Sequence, residues 1–267
     1  MSSVAQSAEI WTHTARLWRL WIFLAWQDTK TRYSRTTLGP YWTTVSLAIW
    51  TVSIGIVYAV LFKVPIREFL PYLATGLISW NFISTVLLAS PSTLLDARAA
   101  MLNVKLPLPV LVLRNIVRTL IAYLHSLPVV LAVVLILAPA TYLDGGWICL
   151  IQLPFALLLI SILLVPVGLL LTALCTKLPD MGQVVASLVQ VAFFVTPILW
   201  STDTLKDARW IYELNPLYYT TSTLRFPLLG EWIPWQMIAA DLLLIIIGVF
   251  VMAVTSAKIS RKAPKWL

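Results

Sequence analysis

Read for charge alone, the chain is a series of long apolar runs separated by short charged connections. Tyr41 to Phe62, Phe69 to Leu95, Thr119 to Leu143, Gly145 to Thr176 and Met181 to Thr202 hold no Asp, Glu, Lys or Arg, and Trp232 to Ala257 holds only Asp241. Each run offers about 20 residues or more, which at a rise of about 1.5 Å per residue crosses a hydrocarbon core of about 30 Å. The pattern predicts six membrane-spanning helices, over residues 41–62, 69–95, 110–138, 147–176, 181–200 and 232–257 of a single transmembrane domain, 1–267. Nothing resembles the alternating segments of about 10 residues that build a membrane barrel. The predicted fold class is therefore an all-α integral membrane protein.

Composition agrees. The chain is 60% hydrophobic and 11% charged, with a mean hydropathy of +0.89. A soluble domain carries about a quarter charged residues. This excludes a cytosolic enzyme or a disordered chain, and the net charge of +8 calls for a membrane explanation before a nucleic-acid one. Of the 19 Lys and Arg, only Lys63, Arg67, Lys206, Arg209 and Arg225 fall on one side of the six-span topology. The remainder cluster before the first span, between spans two and three, after span four and in the tail. By the positive-inside rule the richer side faces the cytoplasm, with both termini inside.

Three connections are more than turns. Before the first span, Glu9, Thr12, His13, Arg16, Arg19, Gln27 and Lys30 fall within about 60° of one direction on a helical wheel, with Trp11, Ala15, Trp18, Ile22 and Ala25 opposite. This predicts an amphipathic helix over 9–31 lying in the headgroup layer, or a short helix packed on protein. Between spans two and three, a helix-forming stretch over 97–107 is stopped by Pro107 and Pro109. It is either a plain connector or a knob for a soluble partner. Between spans five and six, residues 203–231 are too apolar for a solvated loop and too interrupted to span. Two short helices broken at Asn215-Pro216 and dipping into the membrane fit, and such backbone must be buried in protein or line a cavity.

Catalytic and nucleotide-binding signatures are missing. No Gly-Lys pair occurs, so there is no phosphate-cradling GxxxxGK[ST] loop, and neither GxSxG nor HExxH is present. Cys149 and Cys175 sit in apolar runs with no metal spacing, and read as buried packing residues. His125 reads as a hydrogen-bonded interior residue, and Asp241 as an intramembrane acid near the outer end of its span, satisfied by water or Asn/Tyr partners. The chain is thus expected to bind no cofactor and, if it transports, to borrow its energy.

Two stretches carry a resemblance: DTKTRYSRTTLGPYW at 28–42 and LNPLYYTTSTLRFPLLG at 214–230. They resemble signatures of ABC-2-type permeases that export polysaccharides, most of all the O-antigen (Wzm-type) membrane subunit, with teichoic-acid and capsule permeases as relatives. The resemblance covers nearly the whole chain. It implies a homodimer of six-span subunits in the bacterial inner membrane, working with two copies of a separate ATPase that hydrolyses ATP with Mg, on a lipid-linked polysaccharide. It implies that 9–31 is an interface helix and that 97–107 is a cytoplasmic coupling helix in which Ala97, Arg98, Met101, Leu102 and Lys105 meet the ATPase. It implies that 203–231 forms outer gate helices, with Asn215, Pro216, Tyr218, Tyr219 and Arg225 at the gate. An ABC-2 exporter of drugs or small lipids would share this architecture.

The residues themselves suggest where a glycan would pass. Gln183, Ser187, Gln190 and Phe194 share one face of span five, with Phe193, Pro197 and Trp200 beside it. In span one Trp42, Ser46 and Ser53 share a face, with Trp50 and Tyr58 further round. Aromatic faces suit sugars, and polar groups in lipid must face protein or water; packing and interfacial belts account for the same aromatics. Arg32 and Arg35 sit where a lipid phosphate would be drawn, and ordinary positive-inside anchoring explains them equally well. Arg225 is expected as a loop-end anchor or as a gate ion pair with Glu213 or Glu231.

Overall fold

The computed structural model describes residues 3–34, 37, 39, 41–98 and 106–262, and every regular element among them is helical. In chain order these are α1 (Ser3–Arg16), α2 (Trp18–Tyr33), α3 (Tyr41–Phe62), α4 (Ile66–Ala89), α5 (Thr93–Asp96), α6 (Leu108–Leu137) and α7 (Ala140–Leu143). A 3-10 segment (Gly146–Gln152) leads into α8 (Leu153–Lys177). After α9 (Met181–Val195) come a second 3-10 segment (Thr202–Ala208), α10 (Trp210–Glu213), α11 (Pro216–Leu228) and α12 (Trp235–Lys262). Among the described residues five helical stretches are long and apolar enough to cross a membrane: α3, α4, α6, Gly146–Lys177 and the Trp235–Ser256 part of α12.

The segment expected as the fifth of six spans, over 181–200, is a shorter apolar helix. α9 has 15 residues, about 22 Å at the helical rise. It stops because Pro197 has no N–H to continue the ladder, and Thr196 before it turns extended, at φ −79° and ψ 135°. The helix expected over 9–31 is two helices, broken at Leu17. Of the stretch 97–107, Ala97 is buried and Arg98 exposed just beyond α5, whereas Met101, Leu102 and Lys105 lie outside the described residues.

Short connections reverse the chain at each end, so the bundle has a near end, carrying α1, α2 and α5, and a far end, carrying α7, α10 and α11. α4 is the central mast, packed against α3, α6, α8, α9 and α11. Of its apolar window 72% is buried, against 11% for α12. Small residues let the helices close on one another, as expected where no water drives association. A Cβ at Gly55 of α3 would collide with Leu70 of α4, and one at Gly248 of α12 would lie 2.6 Å from Pro166 of α8. Hydroxyls and amides then fasten the contacts. Thr172 Oγ1 donates to the Ser90 carbonyl (2.9 Å), Asn115 Nδ2 to Thr93 Oγ1 (2.9 Å), and Thr44 Oγ1 to the His125 carbonyl (3.1 Å), near the ladder break at Pro128.

α1 and α2 pack on the bundle through small side chains. Ser7 and Thr14 of α1 and Ala25 and Thr29 of α2 are buried; α1 lies along α12, and α2 along α6. Beside this buried strip, α2 exposes Trp18, Ile22 and Trp26, one turn apart, with Phe23 next to them. The pair therefore grips protein with its small residues and the half-buried Trp11 and Trp21, and leaves Trp18 and Trp26 exposed. One charged contact fixes the register: Arg114 of α6 donates Nε and Nη2 to the two carboxylate oxygens of Asp28 (2.6 and 2.5 Å), and Arg118 Nη1 stands 4.0 Å from the same group.

Replacing Asp28 with Asn should cost about 1–3 kcal/mol, because it strips the charge from a half-buried bidentate pair. Arg114→Lys should not compensate, since an ammonium cannot reproduce the fork. Both are read as a lowered thermal midpoint of the purified chain and as earlier proteolysis in α2.

Candidate functional site

The helices enclose a cavity of about 840 Å³ between α2, α3, α4, α6 and α9. Each wall follows from the helix that supplies it. α3 contributes Trp42, Ser46, Trp50 and Ile54, roughly one turn apart. Beyond its exposed first turn, α4 turns its exposed Asn81, Thr85 and Leu88 into the space and buries nearly all its other side chains. α6 adds Arg118, Ala122, His125 and Ser126, α9 adds Val189, Gln190, Phe193 and Phe194, and α2 adds Thr29, Arg32 and Tyr33.

The wall is amphipathic in an ordered way. Cationic groups gather at the near end, where Arg32 and Arg118 border the space and Asp28 is already held by Arg114. Burial and the neighbouring Arg32 charge both act on Arg118, which also donates to Asn115 Oδ1. Further along come indole and phenyl rings interleaved with hydroxyls, amides and one imidazole. His125 Nδ1 lies 2.7 Å from the Ile121 carbonyl, and its ring meets Tyr41 edge-on at 6.0 Å. The cavity ends against Trp80, Phe193 and Phe194, whose rings are in contact (Trp80–Phe193 at 5.6 Å, Phe193–Phe194 at 5.4 Å). Among the described residues no three His, Cys, Asp or Glu converge as metal ligands.

Of the residues singled out in the sequence, the cavity brings together Arg32, Trp42, Ser46, Trp50, Gln190, Phe193 and Phe194. Ser53, Tyr58, Gln183, Ser187 and Trp200 do not border it. Gln183, Ser187 and Ser53 are exposed on their helices, Tyr58 packs on Phe62 at 5.5 Å, and Trp200 sits beyond the far end of α9. Arg35 lies outside the described residues. The sequence reading passed over Trp80, Asn81, Ser84, Thr85, Arg118 and Tyr123, all of which line the space. Asn81, Ser84 and Thr85, at helical spacing i, i+3, i+4 in an uncharged span, are a legible signal, whereas Arg118 carries no signal in the sequence beyond its place among the charges of the richer side.

The far end is closed by the non-helical turn after α9 and by α10 and α11. Asn215 caps α11, its Oδ1 accepting from Leu217 N–H at 3.0 Å with Pro216 in the first turn, and its Nδ2 donates to Thr196 Oγ1 at 2.8 Å. Tyr212, Tyr218 and Tyr219 stack edge to face (5.0 and 5.1 Å), continuing from Trp200 at 6.1 Å, and Tyr219 Oη donates to the Glu213 carbonyl. Arg225 corrects an expectation. It is neither an anchor at a loop end nor paired with Glu213 or Glu231, but buried inside the bundle. Its Nη1 donates to the Pro197 carbonyl (2.7 Å) and its guanidinium lies 4.2 Å above the Tyr72 ring. The reason is local: at a helical 100° per residue, position 225 of α11 points at α4, away from both glutamates. Asp241 likewise departs from the reading of a partly solvated acid. It is fully buried and accepts from Thr223 Oγ1 at 2.6 Å.

Comparison with known proteins agrees with this architecture. Residues 19–229 match the family described as ABC-2 type transporter. An O-antigen export system permease of Myxococcus xanthus is 30% identical over 212 residues, covering 74% of this chain and 75% of that protein. A protein of the same description from Klebsiella pneumoniae is 21% identical over 202 residues, 75% and 76% of the two chains. With a helical bundle of membrane length, a cavity among its spans and a family match over most of its residues, the chain belongs to the ABC-2 type transporter family.

Proposed function

We propose that the chain is the membrane permease of an ATP-driven exporter that carries a lipid-linked polysaccharide of O-antigen type out through a bacterial inner membrane. In this reading it works as a homodimer with two copies of a separate ABC ATPase, and both termini face the cytoplasm. The relatives' names support the cargo, and the distribution of Lys and Arg supports the orientation.

The observation that carries the reading is the wall of the cavity. The wall is mostly apolar, as binding cavities generally are, but polar side chains are interleaved with its rings: Ser46 lies between Trp42 and Trp50 on α3, Asn81 beside Trp80 on α4, and Gln190 one turn before Phe193 and Phe194 on α9. Sugar rings present C–H faces that pack on aromatic surfaces and hydroxyls that need donors and acceptors. At the near mouth, Arg32 and Arg118 supply positive charge that one carboxylate does not neutralise, which suits the phosphate of a carrier lipid. ATP binding by the partner would act through the stretch around 97–107, next to α5. α5 is fastened to α6 by the Asn115–Thr93 bond, so a push there reaches the cavity wall.

Two outcomes test this. Phe194→Ala and Gln190→Leu should each slow export about three- to tenfold, the range of one lost aromatic or hydrogen-bonding contact, while the complex still assembles. Surface polysaccharide in a complemented deletion strain reads the effect; normal surface polysaccharide in the deletion strain itself would point to a drug or small-lipid cargo. The purified chain should hydrolyse no ATP by itself, and hydrolysis should appear with the ATPase subunit; ATP turnover by the isolated chain would overturn the division of labour.

A further inference from the structure

The cavity stops short of the far side. On α4 it reaches Leu77, and one turn beyond, at Tyr72 to Gly76, the interior is filled by the side chain of Arg225. Three elements converge there. Arg225 comes from α11, Tyr72 and Gly76 from α4, and the Pro197 carbonyl from the turn that ends α9. Pro197 accepts from both Arg225 Nη1 (2.7 Å) and Tyr72 Oη (2.9 Å), and Tyr72 Oη also reaches the Trp200 carbonyl (3.0 Å). The guanidinium fits only because position 76 is glycine: a Cβ there would collide with Nη2. The turn it holds is buried, with Ile198 0% and Leu199 5% exposed, and folds back on α9 through the Trp200 indole, which donates to the Phe194 carbonyl (3.0 Å).

The cluster is fastened but not saturated. Arg225 is 7% exposed, and its Nε and Nη2 have no hydrogen-bond partner. Unpaired donors on a buried cation are costly, so this position is held by one carbonyl and one ring face against a penalty. A buried guanidinium with all its donors paired would be a permanent rivet. One with donors to spare can leave once the helices around it shift, which is what a two-position element requires.

We propose that Arg225 is the catch of a lid, residues 196–200, which closes the far end of the cavity, and that release of the Pro197 carbonyl by Arg225 opens the cavity to that side. The proposal rests on reading the cavity as a transport route, but it is independent of the cargo. Arg225 acts here by positioning the lid and touches no cargo in the closed form. Gly76 is the recess the catch swings into, and Tyr72 is the plate it rests on.

The test reads lid position in the full chain in native-lipid nanodiscs, where both faces are open to reagent. Cys149 and Cys175 are replaced by Ala, and Ile198→Cys reports reaction with a charged, membrane-impermeant maleimide; Ile83→Cys, 1% exposed at mid-α4, reports general loosening in a parallel sample. Ile198→Cys should react slowly in the otherwise native background. It should react at least about tenfold faster with Arg225→Met, which keeps length and loses the donor, and with Gly76→Ala, which expels the guanidinium from its recess. Arg225→Lys, which retains a donor for the carbonyl, should stay within about threefold of native. Unchanged labelling at 198 in the Met and Ala backgrounds would overturn the proposal. So would a parallel rise at 83, which would make Arg225 a residue of general stability. If Arg225→Met does not reach the membrane, Gly76→Ala decides by itself. Because no cargo is present, a failed catch leaves the export reading standing, and a failed export assay leaves the catch standing.

Discussion

A helix that ends inside a hydrocarbon layer leaves carbonyls that no solvent can reach, and they must find donors within the protein. In this chain that helix is α9. Its 15 residues fall short of a bilayer core, and its end at Val195 sets the arrangement of the whole far side. The donors that answer it come from two elements on different sides. Tyr72 and Arg225 serve Pro197, Tyr72 serves Trp200, and Trp200 in turn serves Phe194. Asn215 is spent twice, as the cap of α11 and as the partner of Thr196. The non-helical turn at 196–199 is buried, and α11 beyond it packs on α4, α8 and α12, so backbone that leaves the helical ladder there is covered by protein.

The same constraint explains why the cavity is lopsided. Beyond its first turn α4 is buried along nearly its whole length, and the stripe it exposes there, Asn81, Thr85 and Leu88, faces the cavity. Polar residues on lipid-facing helices are expensive, so these positions make sense only beside water or protein. At the near end the space lies between α2 and α6, where Arg32 is exposed and Arg118 half-buried. At the far end it narrows onto aromatic rings and then onto the polar closure. A polar floor, an aromatic middle and a hydrogen-bonded roof thus follow from where each helix begins and ends relative to the membrane core.

Much of this was legible in the sequence. The uncharged runs located the long helices, because the cost of charge in lipid is large enough to dominate any other signal. Asn215-Pro216 announced a helix start with cap and first-turn proline together, and α11 begins there. Trp42, Ser46, Trp50, Gln190, Phe193 and Phe194 were picked out by face and chemistry, and they meet in one cavity. Other features depended on facts a wheel does not contain. The end of α9 is set by Thr196-Pro197, a pair hidden inside a stretch that hydropathy reads as continuous. Trp80 and Tyr123 look like ordinary packing residues until α3 and α9 stand opposite them. Gln183 shares a face with cavity residues but lies a turn short of Ala186, where the cavity begins on α9, and depth is invisible in an angular projection; Ser53 lies between Trp50 and Ile54, which border the cavity, yet is exposed away from it. Arg225 was the least legible, since a charge in an apolar loop suggests a surface, and only the glycine on a neighbouring helix reveals the recess.

The two buried charges of the far half, Arg225 and Asp241, sit on or against the same short helix and yet do not pair. α11 presents Thr223 to Asp241 of α12, and two residues on, turned by about 200°, it presents Arg225 to α4 and the end of α9. An ion pair between them would have bound α11 to one neighbour with a strength hard to reverse in a low-dielectric interior. Splitting the charges instead gives α11 a separate polar clasp on each side, one hydroxyl to carboxylate and one guanidinium to carbonyl. Each is a single hydrogen bond, one to α12 and one to the turn that follows α9. A helix held in that way follows whichever side keeps its hold when the bundle shifts, and that is the mechanical property a barrier between two compartments needs.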